Sequence, residues 1–139
     1  MQVKCIGNKG KDISDKLLNT GYCSITTEFY LKLEKIYVVY GIYTSNDGFI
    51  FYLLQDLESG WPDWYPAELF IVIDHILPLE WSHNFFDYNN SRSAIFGYKE
   101  LNFDHYVGLI EREDKDKEIF LKRKKEIDEF AELMCYKGK

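Results

Sequence analysis

Residues 35–57, KIYVVYGIYTSNDGFIFYLLQDL, decide the fold. Two β-branched and aromatic runs, 36–45 and 49–57, flank Asn46-Asp47-Gly48, a turn signal of the kind that closes hairpins. Both runs are almost continuously apolar, which fits strands covered on both faces and puts them at the centre of a sheet.

On the N-terminal side, residues 2–6 (QVKCI) alternate and stop at Gly7-Asn8-Lys9-Gly10, the pattern of a short first strand and a turn. Ile13 to Leu18 has room for one helical turn, Asn19-Thr20-Gly21 breaks it, and Tyr22 to Leu31 reads as extended. On the C-terminal side, Glu58 to Tyr65 (ESGWPDWY) contains Gly60 and Pro62 and reads as a loop. Pro66 to Phe70 then suits a helical turn with proline first, and Ile71 to Ile73 reads as buried. An extended stretch from Leu79 to Tyr88, a polar loop at Asn89-Asn90-Ser91-Arg92-Ser93 and a last strand at 94–99 complete the sheet.

The last third changes character. Phe103 to Ile110 predicts a short helix, and residues 111–134, EREDKDKEIFLKRKKEIDEFAELM, are charged throughout. Their apolar residues Phe120, Ile127, Phe130, Ala131 and Met134 recur at spacings that form one helical stripe, which is expected to cap the sheet. A length of 139 residues suits one domain, with a β-rich body over about 1–100 and a helical part over about 103–135. The expected class is α+β: a twisted antiparallel sheet, or a partly open barrel, carrying a C-terminal amphipathic helix. Helical patterns do not alternate with strands, so a parallel βαβ order is disfavoured.

Charge is segregated along this frame. Between Lys35 and Arg92 there is no Lys or Arg, while Asp47, Asp56, Glu58, Asp63, Glu68, Asp74, Glu80 and Asp87 supply eight acids. All 17 bases lie outside this segment with the other 15 of the 23 acids, so the net charge of −6 divides into −8 in the middle and +2 outside. An acidic chain lacks the clustered cations that displace counterions from phosphates, so nucleic acid is not an expected partner. Lys122-Arg123-Lys124-Lys125 is the one basic cluster and reads as a solvated helix face.

All three tryptophans, Trp61, Trp64 and Trp81, fall in the same acidic segment. Exposed rings among carboxylates suit an interface for a basic protein, the rings as desolvated anchors and the acids as steering charges. The residues expected to form it are Asp56, Glu58, Trp61, Asp63, Trp64, Tyr65 and Glu68. The competing reading places the tryptophans in the core and leaves the acids as a solvated rim.

Signatures of catalysis are missing. The sequence holds no G-x-S-x-G, phosphate-binding loop, G-x-G-x-x-G or H-E-x-x-H pattern, and its acids are scattered. His75, His83 and His105 lack metal-ligand spacing, and Cys5, Cys23 and Cys135 form no C-x-x-C pair. The cysteines are therefore expected as reduced thiols, with no metal and no cofactor. The N-terminus has no apolar signal core and no run is long enough to span a membrane, which points to a cytoplasmic chain. On that reading the sequon Asn89-Asn90-Ser91 is a chance match.

The stretch from IYVVYGIYTSNDGFIFYLLQDLESGWPDWYPAELFIVID to LPLEW, residues 36–81, resembles small immunity proteins of bacterial polymorphic-toxin systems, including those of contact-dependent growth inhibition. Some of these resemble SH3-like barrels. The resemblance implies a cytoplasmic, non-enzymatic inhibitor, a monomer or weak homodimer, that binds one cognate toxin domain. That toxin is expected to be basic and of nuclease type. The reading weighed against it is a small-molecule-binding or enzymatic β-barrel that uses the Trp/Tyr-rich acidic segment as a pocket.

Overall fold

In a computed structural model that describes residues 1–55, 58–88 and 91–137, the chain forms two antiparallel sheets and three helices. The run expected as one long strand is divided. Ile36–Val38 (β2) pairs with Gln2–Cys5 (β1), whereas Gly41–Thr44 (β3) pairs with Ile50–Gln55 (β4). The chain thus changes sheets at Val39 and Tyr40, both buried. The β3–β4 hairpin closes as its sequence dictates: Gly48 takes a φ of 86°, and its N–H donates to the Ser45 carbonyl at 3.0 Å. Phe51, Tyr52, Leu53 and Leu54 are all buried, so both faces of β4 are covered.

Residues 58–65 are not all loop. Pro62–Pro66 is a strand (β5) in register with β4, Tyr65 opposite Tyr52 and Trp64 opposite Leu53. It is an edge strand, where the missing proline N–H groups leave no gap in the ladder. A 3₁₀ turn at Ala67–Leu69 then leads into Phe70–Asp74 (β6), which pairs with β1. Ile71, Val72 and Ile73 were expected to be buried, yet they are 44%, 47% and 45% exposed. β6 is the outer strand of the three-stranded sheet β2-β1-β6, and among the described residues no strand pairs with its far side.

Ser82–Tyr88 (β7) and Ser91–Gly97 (β8) complete the five-stranded sheet β5-β4-β3-β8-β7. Arg92 and Ser93, read as loop, are paired with Asp87 and Phe86; Asn89 and Asn90 lie outside the described residues. The stretch 22–31, read as extended, contains no strand and makes a single bridge, Lys9 to Glu28. No closed barrel forms, and the fold is the open α+β arrangement of twisted sheets with a C-terminal helix.

Asp15–Leu18 (α1) is capped by Ser14, whose hydroxyl accepts from Leu17 N–H. Phe103–Ile110 (α2) is capped in the same way by Asn102, which accepts from His105 N–H at 3.0 Å. The C-terminal helix Asp114–Lys137 (α3) buries Phe120, Ile127 and Ala131 of the expected stripe. Phe120 and Ile127 pack with Leu53, Ile95, Tyr98, Leu101 and Leu109 in one cluster. A second cluster joins Val3, Val39, Leu54, Leu69 and Phe70 to the N-terminal segment. The neighbours Leu53 and Leu54 point into different clusters, so β4 separates the two cores.

Candidate functional site

The residues expected at a partner surface are sorted by the geometry of β5. Tyr65, 6% exposed, is buried among the core rings beside Phe29, whereas Asp63, two residues earlier on the same face of the strand, is exposed. Tyr65 is therefore a core residue with no ring surface for a partner. Trp64 is half-buried and packs against both clusters, and its buried indole N–H has no hydrogen-bond partner among the described residues. Trp61, just before the strand, is half-buried beneath two cations of this same chain. Arg112 lies 5.5 Å and Lys117 4.8 Å from its ring centroid. Glu58, Asp63 and Glu68 are exposed, although Glu68 also accepts from Ser14 N–H at 3.0 Å. Asp56 lies outside the described residues. Glu58 lines a depression beside Tyr30 and Lys32.

Arg112 reaches Trp61 from a helix end of defined geometry. Its N–H donates to the Leu109 carbonyl and the N–H of Glu113 to that of Gly108, the double closure usual where glycine ends a helix. Here a φ of 59° is carried by arginine, whose side chain lies over the indole.

A concavity of about 270 Å³ opens on the other side of Trp64. Its walls include Tyr22, Tyr43, Phe51, Trp64 and Tyr106, with Asp47 from the hairpin turn at the rim. Tyr43 stacks on Tyr106 at 5.4 Å and meets Trp64 at 5.9 Å and 61°, while Tyr22 meets Phe51 at 5.3 Å and 56°. The hydroxyl of Tyr22 is raised to about 12, chiefly by burial, with Cys23 and Asp63 adding to the shift. Tyr106 is raised to about 12 by burial and by the neighbouring Tyr43. A larger cleft of about 500 Å³ lies between the 78–81 connection and α3, lined by Trp81, Arg123, Ile127 and Phe130, with Leu79 96% exposed beside it.

One polar chain is fully buried. Tyr98 Oη lies 2.7 Å from His105 Nε2, and His105 Nδ1 lies 2.7 Å from Asp116 Oδ1. The acceptor carboxylate places the ring proton on Nδ1, so in the neutral imidazole Nε2 accepts from the Tyr98 hydroxyl. Burial raises the Tyr98 hydroxyl far above its ordinary value, which keeps it a donor. His105 is 4% exposed with both ring nitrogens partnered, so it is a satisfied core histidine that ties α2 to α3. His75 and His83 are exposed, and no group of three His, Cys, Asp or Glu among the described residues could hold a metal ion. Burial pushes the Cys5 thiol up, and its Sγ donates to the Gly7 carbonyl at 3.1 Å, so it is a packing residue. No helix among the described residues is long and apolar enough to cross a membrane.

Sequence reasoning reached Trp64 but missed the rest of its cavity. Tyr22, Tyr43 and Tyr106 come from a coil, a central strand and α2, and no spacing in the chain joins them. Comparison with protein-family models, with curated proteins and with solved structures finds no match to this chain.

Proposed function

We propose that this chain is an immunity-type protein that neutralises a basic bacterial toxin domain in the cytoplasm by binding it, without catalysis. The observation that carries the reading is the lysine-free segment 36–91. Of its described acids, Asp47, Glu58, Asp63, Glu68, Glu80 and Asp87 are exposed and Asp74 is partly so. Such a surface attracts a cationic partner, speeds encounter and repels acidic competitors. Trp61, already arranged to hold cations over its ring, belongs to that surface. The toxin as partner follows from the resemblance of residues 36–81 to immunity proteins.

The test is co-purification with a basic toxin domain encoded beside the gene, followed by titration calorimetry across a salt series. Affinity should fall as salt rises. Trp61→Ala should cost on the order of 2 kcal/mol of binding, and Glu58→Gln with Asp63→Asn should slow association. A Lys122→Ala/Lys125→Ala variant should bind as tightly as the parent. A large loss in that variant with none in Trp61→Ala would move the interface to α3 and sink the proposal. The 500 Å³ cleft favours a second reading, a small-molecule-binding domain, since that volume lies within the range of ligand sites. A metabolite retained through purification, with no binding of any basic toxin, would establish that reading instead.

A further inference from the structure

The aromatic concavity beside Trp64 has the composition of a cation receptor. Six aromatic residues line it, Tyr22, Tyr43, Phe49, Phe51, Trp64 and Tyr106, and the interplanar angles of 47° between Tyr43 and Phe51, 51° between Trp64 and Tyr106 and 61° between Tyr43 and Trp64 incline those walls to one another. Ring faces carry negative potential, and they hold a cation best where water is partly excluded. Among the described residues the one charged member of the lining is Asp47, in the β3–β4 turn. Among the described residues no lysine or arginine lines the concavity, in contrast to Trp61, whose ring already carries Arg112 and Lys117. The same chain therefore has one indole with its cations in place and another indole in an aromatic, acid-rimmed hollow without one.

We infer that this concavity receives the guanidinium of an arginine side chain presented by the basic partner. The inference rests on the reading that the partner is basic. Arginine suits the site better than lysine because its planar head stacks on ring faces, sheds water more easily and keeps N–H donors free for a rim carboxylate. The concavity of about 270 Å³ is large enough for one side-chain head and is smaller than the ordinary range for whole organic ligands. Arginine is also among the residues that dominate binding energy when they enter a desolvated pocket at an interface.

The experiment uses the full chain with N-acetyl-arginine amide as probe, its uncharged citrulline counterpart and N-acetyl-lysine amide, followed by proton NMR and tryptophan fluorescence. The arginine probe should bind weakly and saturably, with side-chain methylene signals shifted upfield by the rings. Citrulline should bind roughly fivefold to tenfold more weakly, the span expected for a partly desolvated cation–π contact. Asp47→Asn lies in an exposed turn and should weaken the arginine probe several-fold without altering the melting temperature. Tyr22→Leu, at a half-open wall, should do the same. Equal binding of arginine and citrulline, no saturable binding at all, or an unchanged affinity in both variants overturns the inference, and tighter binding of the lysine probe overturns the choice of arginine. The toxin arm separates this from the wider reading. If the toxin domain binds the parent and the Asp47→Asn and Tyr22→Leu variants equally, the cavity is not the arginine site and the immunity reading stands. If no basic toxin binds the parent, the immunity reading fails whatever the free probe does.

Discussion

The Tyr98–His105–Asp116 chain makes the sharpest prediction about stability, because its members fail in different ways. His105→Leu leaves the Asp116 carboxylate buried with neither oxygen partnered, since Oδ2 already lacks a hydrogen-bond partner and Oδ1 would lose its imidazole. An uncompensated buried charge costs about 3–5 kcal/mol. Asp116→Ala instead leaves a neutral imidazole N–H unpartnered, at about 1–3 kcal/mol. The double variant removes both polar groups, so its loss should fall short of the sum of the single losses by at least about 1.5 kcal/mol, the net worth of a hydrogen bond to a charged group. Urea unfolding of the four proteins, followed by far-UV circular dichroism and fitted with a common slope, gives the three differences. The expected order of loss is His105→Leu greater than Asp116→Ala, with coupling between them. Additivity within about 0.5 kcal/mol would refute the reasoning, because independent sites add to that tolerance.

Other perturbations test the packing and the charges. Phe120 is fully buried and meets Tyr40 edge-on at 5.3 Å, so Phe120→Ala should lower unfolding free energy by about 3–5 kcal/mol and detach α3 first in hydrogen exchange. Arg112 holds a left-handed backbone angle, so Arg112→Gly should be more stable than Arg112→Ala by about 1 kcal/mol, measured by thermal unfolding. Both variants should change the fluorescence of Trp61 only partly, because Lys117 still lies 4.8 Å from its ring centroid. Hydrogen bonds from Arg123, one of 2.8 Å, hold the Glu100 carboxyl below the usual carboxylate range. A depressed folded-state value means stability that is present above the ordinary glutamate pKa of about 4.3 and lost as pH falls through the folded value. Arg123→Ala should therefore show a shallower decline of melting temperature below about pH 4 than the parent.

The β3–β4 hairpin, α2 and the buried stripe of α3 were legible because each rests on local chemistry: a turn triplet, an Asn cap, a period of 3.6. The errors came from residues whose meaning depends on which neighbour the strand acquires. Pro62 reads as a breaker and Pro66 as the start of a helical turn, and in the fold they bound an edge strand, where the same missing N–H is harmless. Ile71-Val72-Ile73 reads as buried, and β6, paired with β1 alone among the described strands, leaves all three exposed. Local composition cannot distinguish a strand with two neighbours from a strand with one.

The same limit governs the candidate site. Charge segregation is a property of the chain, but charge complementarity is a property of the fold, and Trp61 separates the two. In sequence it belongs to the cation-free segment; in space Arg112 and Lys117, some 50 residues on, lie over its ring. Part of the acidic segment's complement is thus supplied from within, by the corner between α2 and α3. A cation of the partner must displace one of these or find a ring that carries none. The rings of Tyr22, Tyr43 and Tyr106 around Trp64 meet the second condition, and they lie far apart in the sequence. On the proposed reading, the choice of a cationic partner therefore falls to the concavity, where Asp47 and the surrounding rings act on the same group, more than to the count of acids along the chain.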